Sequence, residues 1–361
     1  MVGTRYIDII DQSRKEVLGK KGGNRRIPIR FYYPAVDSEK GKKCNYLTPG
    51  KSKEFGKKPD FSLYDKRIAI YEDVEMREGC FPLVLFNQGN PGYMEQNTDL
   101  CQNIAEQGYI VASIGHSYES NETVYADGTS VKFNKSIYLK MFKPLIGAYI
   151  DLSRLRKENL TPEQATARFD QHQNRYEAFL IERLDEWAAD DHCALKHIHE
   201  LVEQPGSFLY QKIDFSHGVG ATGHSYGGAV AYYHCINDEE ITCGVNIDGG
   251  IFGNYGEKVN HRPFMQIINK SNLNVIMRTK LYHDKPVHFL IFRDMAHNGF
   301  TDWKLVVKKP MEMGTADPEL VMDTLNQAHI LFFDRYLKVQ DSDNAEKLPI
   351  DEKALERYEI W

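Results

Sequence analysis

A glycine-flanked serine set between a short apolar strand and a helix of small residues restricts the fold of this chain more than any other feature. Val219 to Thr222 reads V-G-A-T, Gly223 to Gly228 reads G-H-S-Y-G-G, and Ala229 to His234 reads A-V-A-Y-Y-H. So tight a strand-to-helix turn forces Ser225 into a strained backbone conformation, and only small neighbours fit beside it. The turn projects the hydroxyl from the C-terminal edge of a sheet, next to a helix N-terminus whose free N–H groups favour a developing negative charge. G-x-S-x-G alone recurs by chance, and a glycine-rich structural turn is the alternative. The strand before it and the helix after it favour a nucleophile. The His224 side chain should point away from that of Ser225 and pack.

Around this turn, apolar strand-like runs alternate with helical segments, which predicts a mostly parallel sheet covered by helices. Strands are expected at Ile27 to Pro34, Phe81 to Phe86, Tyr109 to Ile114, Gly218 to Thr222, Cys243 to Ile247, Pro263 to Ile268 and Val287 to Phe292. The uninterrupted apolar runs F-P-L-V-L-F and Y-I-V-A-S-I are those of strands buried on both faces. A helix should run from about Gln96 to Gln107, ended by Gly108, and another from about Pro318 to Leu337. Residues 37–66 read as a polar loop, and 118–160 as a mixed aromatic stretch with no clean strand. Thr161-Pro162-Glu163 is an N-cap, a proline at the first helical position and an acidic first turn, opening one or two helices to about Glu203. The expected architecture is therefore a single α/β-hydrolase domain over residues 1–361. A partly helical insertion, a cap at 118–210, should follow a central strand.

A serine hydroxyl is a weak nucleophile at neutral pH and needs a histidine base held by a carboxylate. In this fold the order along the chain is Ser, acid, His, with acid and base on loops after later strands. C-G-V-N-I ends at Asp248, and V-H-F-L-I-F leads into R-D-M-A-H-N-G-F-T-D-W, which carries His297. Asp248 also suits a turn before two glycines, and Asp294 and Asp302 are alternative acids, although both neighbour His297 in sequence. His283 and His288 are alternative bases, the first before a strand and the second within it. A tetrahedral intermediate further needs two N–H donors. Tyr226, directly after the serine, and Asn90, in the loop N-Q-G-N-P-G-Y after F-P-L-V-L-F, are the candidates. Pro91 has no N–H to give.

Charge and cysteine content exclude other classes. The net charge is -6 with Lys and Arg scattered, against the clustered basic face of a nucleic-acid binder. The six cysteines form no C-x-x-C pair, and Cys80, Cys101, Cys235 and Cys243 read as buried reduced thiols. No stretch reaches the roughly 20 apolar residues of a membrane span, and M-V-G-T-R-Y-I-D-I-I does not read as a signal peptide. A cytoplasmic location is the expectation.

Five segments together resemble the platelet-activating factor acetylhydrolases of the plasma and type II intracellular kind, a family within the α/β-hydrolase superfamily. They are D-Q-S-R with I-P-I-R-F-Y-Y-P-A, L-V-L-F-N-Q-G-N-P-G-Y with I-A-E-Q-G-Y-I-V-A-S-I-G-H-S, I-D-F-S-H-G-V-G-A-T-G-H-S-Y-G-G, C-G-V-N-I-D-G-G-I-F-G, and F-R-D-M-A-H-N-G-F-T-D-W. The likeness covers most of the chain outside roughly 37–66 and 120–175. It implies a triad of Ser225, Asp248 and His297, oxyanion donors at Asn90 and Tyr226, and hydrolysis of short acyl esters without metal or cofactor. The family has His-Gly where this chain has Gln88-Gly89, and one extra residue stands before Gly92, which changes the acyl pocket.

The expected function is thus a serine carboxylic-ester hydrolase working through an acyl-enzyme on a small ester, with a short-acyl phospholipid among the candidate substrates. An acyltransferase or peptidase with the same triad is the alternative within catalysis, and a binding protein that keeps the fold is the alternative outside it. An apolar patch at Lys140, Met141, Phe142, Pro144, Leu145 and Ile146 suits either lipid contact or a packed surface helix, the second being favoured.

Overall fold

The computed structural model describes residues 1–19, 22–37, 41–44, 46 and 59–361, and the side chains of 137–145 lie outside that description. Its strands in chain order are β1 (Val2–Lys15), β2 (Asn24–Pro34), β3 (Lys42–Cys44), β4 (Ile70–Glu72), β5 (Phe81–Asn87), β6 (Ile110–Ile114), β7 (Glu122–Val124), β8 (Ser130–Lys132), β9 (Ile213–His224), β10 (Ile241–Ile247), β11 (Phe264–Asn269), β12 (Val287–Phe292) and β13 (Leu355–Ile360). The longer helices are α1 (Thr98–Glu106), α2 (Lys135–Leu155), α3 (Pro162–Tyr176), α4 (Ala178–Glu203), α5 (Tyr226–Asn237) and α6 (Pro318–Phe333).

Eleven strands make one sheet in the order β13-β12-β11-β10-β9-β5-β6-β2-β1-β4-β3, and β7 pairs with β8 in a separate hairpin. From β6 through β12 every neighbouring pair in that order is parallel. β1, β2 and β6 pair antiparallel on one side, and β13 pairs antiparallel with β12 on the other. The parallel centre is where the apolar runs lie, because helices cover both of its faces. Leu100 and Ile104 of α1 share one face with Leu325, Phe332 and Phe333 of α6. Leu195 and Ile198 of α4 share the other with Ala231 and Tyr232 of α5. Each such leucine, isoleucine or phenylalanine contributes roughly 1.5–3 kcal/mol by leaving water.

The expected sheet strands all form, several with longer ends. β1 and β13 carry no continuous apolar run; the family resemblance points to an opening strand only at Asp11 to Arg14 of β1, and β13 is not anticipated. The stretch 118–160 holds the β7–β8 hairpin, which corrects the expectation of no strand there. Part of the 37–66 stretch lies outside the described residues. Within the rest are β3 and a short helix, Ser62–Arg67. α3 begins as its sequence indicates, with a full capping box between Thr161 and Gln164. α4 lies flat on the sheet, burying Trp187 against the His116 ring at 3.6 Å between centroids. α3 and the end of α2 sit over the loops that leave β10 and β11. There Phe169 packs on Phe252, and Asn274 donates to the carbonyls of Leu155 (2.7 Å) and Glu158 (2.9 Å). Of the proposed patch at 140–146, only Ile146 has a described side chain, and it is exposed. Cys101, Cys235 and Cys243 are buried free thiols, whereas Cys80 is exposed, a correction to the expectation for that residue. No described helix is long and apolar enough to cross a membrane.

Candidate active site

β9 delivers Ser225 at its C-terminal end with φ 58° and ψ -120°, outside the ordinary regions for a side-chain-bearing residue. The surroundings hold this strain in place. The Ser225 N–H donates to the Ile247 carbonyl (2.7 Å), and α5 starts at once with Tyr226. Space is the reason for the glycines: a Cβ at Gly227 would stand 2.1 Å from the Asn87 carbonyl oxygen, and one at Gly249 would stand 2.0 Å from that of Ser225.

The carboxylate and imidazole arrive from the ends of β10 and β12. His297 Nε2 lies 2.8 Å from Ser225 Oγ, and His297 Nδ1 lies 2.7 Å from Asp248 Oδ2. The carboxylate is buried while the His297 side chain is 42% exposed, so the ring reaches from a dry anchor to an open cleft. With its Nδ1–H bonded to the carboxylate, the ring presents an unprotonated Nε2 to the hydroxyl, the arrangement that lets an imidazole take a proton from a serine. Asp248 itself turns at φ 57°, and its N–H donates to the Ile267 carbonyl (2.7 Å).

The remaining sequence candidates fall as follows. Asn90 lines a cavity of about 250 Å³ together with Gly89, Asn121, Ser225, His297 and Trp303. Tyr226 opens α5, where a main-chain N–H has no acceptor within its own helix. Its side chain turns away, edge-on to Trp187 and bonded to the Leu180 carbonyl. Asp302 is buried beneath the start of α1, accepting from the Asp99 N–H at 3.3 Å, and burial pushes its carboxyl up. Asp294 accepts main-chain bonds from Thr315 and Ala316. His288 is enclosed between Tyr358 and Tyr336, and His283 lies beside Tyr232 and Phe264.

Three residues that the sequence did not single out, or marked only as packing, complete the site. Asn269 donates from its main chain (2.8 Å) and its side-chain amide (2.6 Å) to the two oxygens of Asp248, fixing the carboxylate. His224 Nε2 faces the His297 carbonyl at 3.0 Å and must donate to it, so His224 Nδ1 accepts from the Gln96 amide at 2.9 Å. Burial and the neighbouring His297 push the His224 pKa well down, which keeps it neutral in this role. Gln96 Oε1 in turn accepts from the N–H groups of Gly89 (3.3 Å) and Tyr93 (3.4 Å), tying the Asn90 loop to the His297 backbone. Behind that loop, Asn87 is pinned by His116 (2.8 Å) and Asp191 (2.6 Å). No sequence signal marks Asn269 or Gln96, because amides at a strand end and before a helix are ordinary turn residues.

A family model described as "Platelet-activating factor acetylhydrolase, isoform II" matches residues 17–353. Platelet-activating factor acetylhydrolase of Cavia porcellus is 24% identical over 277 residues, covering 71% of this chain and 58% of that protein. The Bos taurus protein of the same name is 24% identical over 279 residues, covering 72% of this chain and 58% of its own length. The chain therefore spans a little over half the length of these relatives. Among solved structures, a ferulic acid esterase from Streptomyces cinnamoneus superposes with a TM-score of 0.69 at 17% identity, over 99% of this chain and 96% of that one. That superposition bears out the α/β-hydrolase fold.

Proposed function

Because the chain belongs to the family described as platelet-activating factor acetylhydrolase, isoform II, we propose that it is a serine carboxylic-ester hydrolase with Ser225 as nucleophile. The observation that carries this reading is the unbroken chain Ser225 Oγ–His297 Nε2 (2.8 Å) and His297 Nδ1–Asp248 Oδ2 (2.7 Å). Ser225 Oγ attacks the ester carbonyl carbon as His297 Nε2 takes its proton. Asp248 holds the imidazolium and fixes its orientation. The carbonyl oxygen, now negative, is met by the main-chain N–H groups of Asn90 and Tyr226. The C–O bond to the alcohol then breaks, the alcohol leaving with the proton from Nε2, and the acyl group stays on Ser225. Water, deprotonated by His297, releases the acid in a second passage through the same geometry.

The substrate reading is a short acyl ester. A cavity of about 250 Å³ at Ser225 is below the roughly 300–1,000 Å³ of pockets that enclose drug-sized ligands. On the far side of His297 runs a wider groove lined in part by Arg156, Asn269 and Lys270. Arg156 lines that groove together with Asp294, and Lys270 there is paired with Glu356, so the groove has room for a polar alcohol portion such as that of a short-acyl phospholipid. Residues 118–176 serve as the cap over this edge, since Asn121 lines the cavity and α3 lies against the loop after Asp248.

The test is covalent. A fluorophosphonate should label Ser225 and leave folded Ser225→Ala unlabelled, with ester turnover lost by roughly 10⁴-fold or more. Active, folded protein that takes up no label would refute the assignment. Across a series of esters, kcat/KM should fall sharply beyond two to four carbons in the acyl group.

A further inference from the structure

Helix α5 carries a second histidine–carboxylate cluster at the end remote from Ser225. His234, in its last turn, is 1% exposed. Nine residues at 1.5 Å each place it roughly 13 Å along the helix from the nucleophile. His234 Nε2 lies 2.9 Å from Asp191 Oδ2, so that nitrogen donates to a fully buried carboxylate. His234 Nδ1 is buried without a hydrogen-bond partner and faces Asp238 Oδ2 at 3.6 Å. Asp238 caps the same helix, with its N–H on the His234 carbonyl (2.9 Å) and its Oδ1 taken by the Glu240 N–H (3.0 Å), which leaves Oδ2 facing the two histidines. From α4, His192 Nε2 reaches that Oδ2 at 2.8 Å, with its side chain 53% exposed. Among the described residues, the ligating atoms of His192, His234 and Asp238 all lie within 4.8 Å of one another.

We propose that His192, His234 and Asp238 bind a divalent transition ion of the zinc class, clamping α4 to the end of α5. Four physical arguments converge on this. The donor set of two imidazoles and one carboxylate is one that zinc takes, with a fourth position left for water. Ligands about 2.0–2.1 Å from a tetrahedral zinc stand roughly 3.3 Å apart. The 2.8 and 3.6 Å spacings here bracket that value, and the exposed His192 ring is free to rotate into place. The buried Nδ1 of His234 has no hydrogen-bond partner and is aimed at Asp238 Oδ2. Its opposite nitrogen is already bonded to Asp191, the carboxylate–histidine support that orients a metal-ligating ring and raises its basicity. The soft and borderline preferences of imidazole favour zinc over magnesium or calcium, which take oxygen ligands. The site holds the fold and takes no part in ester cleavage.

The experiment uses the full chain, stripped with a chelator and then titrated with zinc in the presence of a competing metal dye. One equivalent should bind tighter than about 10 μM. Zinc should raise the thermal midpoint by a few degrees and magnesium should not. Cobalt(II) bound in place of zinc should give the visible absorption of a tetrahedral ion. His192→Asn, a change at an exposed position, should weaken zinc binding by at least tenfold with ester turnover retained, and Asp238→Asn should do the same. Binding no tighter than 10 μM would overturn the proposal. So would identical zinc affinity in the wild type and both variants, which would place the ion on other histidines.

Discussion

The two ends of helix α5 hold the same pair of groups put to different use. At its start, His297 bonds the buried carboxylate of Asp248, and at its end His234 bonds the buried carboxylate of Asp191, at 2.7 and 2.9 Å. What separates them is the second ring nitrogen. In His297 it meets a serine hydroxyl in an open cleft, and in His234 it is buried and faces another carboxylate. A His–Asp pair therefore says nothing of catalysis by itself. The group beyond the ring and its access to substrate decide the chemistry.

The sharpest way to break that comparison is to neutralise each carboxylate in turn. Asp248→Asn should keep the fold and lower kcat by about 10⁴-fold, the size of effect seen when a triad histidine loses its orienting acid. Asp191→Asn should leave turnover within about tenfold while lowering the free energy of unfolding by roughly 3–5 kcal/mol, because it strands a buried partner. Turnover on a short-chain nitrophenyl ester and urea unfolding of both variants measure this. Equal losses of turnover would erase the distinction between the two ends.

Two other buried histidines extend the comparison to rings with no carboxylate partner. His288 bonds only tyrosine hydroxyls, and His329 bonds Thr222 and the Leu325 carbonyl. Burial, with Arg335 nearby, pushes the His288 pKa down to about 3, and burial pushes that of His329 down to about 4. The unfolded chain, with histidines near 6.5, binds more protons below that pH, so stability is full above about pH 7 and is lost as pH falls from 6.5 toward 4. At pH 5 the loss should be about 2 kcal/mol per histidine relative to pH 7.5. His329→Gln and His288→Gln should each flatten the dependence by about one proton. An unchanged slope would mean that these rings titrate normally in the fold.

Much of this was legible in the residues. The central strands could be read because a strand buried on both faces must be apolar throughout, as in F-P-L-V-L-F. That Ser225, Asp248 and His297 come together could be read because each follows such a strand, directly or in the loop beyond it, in the order this fold sets. β13, and β1 outside its D-Q-S-R end, could not, since one face of each is partly wet and their charges, as in L-E-R-Y-E-I, break the pattern. The His224 role was hidden for another reason. A ring that works by holding a backbone carbonyl leaves no spacing signature, and packing was the sound expectation for a histidine beside Ser225.

Asn269 tests whether that hidden layer matters. Asn269→Ala removes the 2.6 Å bond from its amide to Asp248 Oδ2 but keeps the main-chain donor at 2.8 Å to Oδ1. A hydrogen bond to a charged group contributes roughly 1.5–3 kcal/mol, which corresponds to a loss of about 10- to 100-fold in kcat. The fall should appear in kcat more than in KM, because Asn269 orients the acid and does not hold substrate. A KM effect alone would make it a substrate contact in the adjoining groove.

The smallest effect expected is at Tyr226, and its smallness is informative. The donor proposed there is the main-chain N–H at the start of α5, whereas the phenol points away and donates to the Leu180 carbonyl of α4. Tyr226→Phe leaves the N–H, the ring packing on Trp187 and the elbow untouched and deletes one buried hydrogen bond. The free energy of unfolding should fall by about 1 kcal/mol, and kcat should stay within roughly two- to threefold. A loss approaching the 10²–10³-fold of a removed oxyanion donor would instead put the phenol in the reaction. The backbone assignment would then fail, and with it the reading that the start of α5 acts through its unpaired N–H groups while its end acts through side chains.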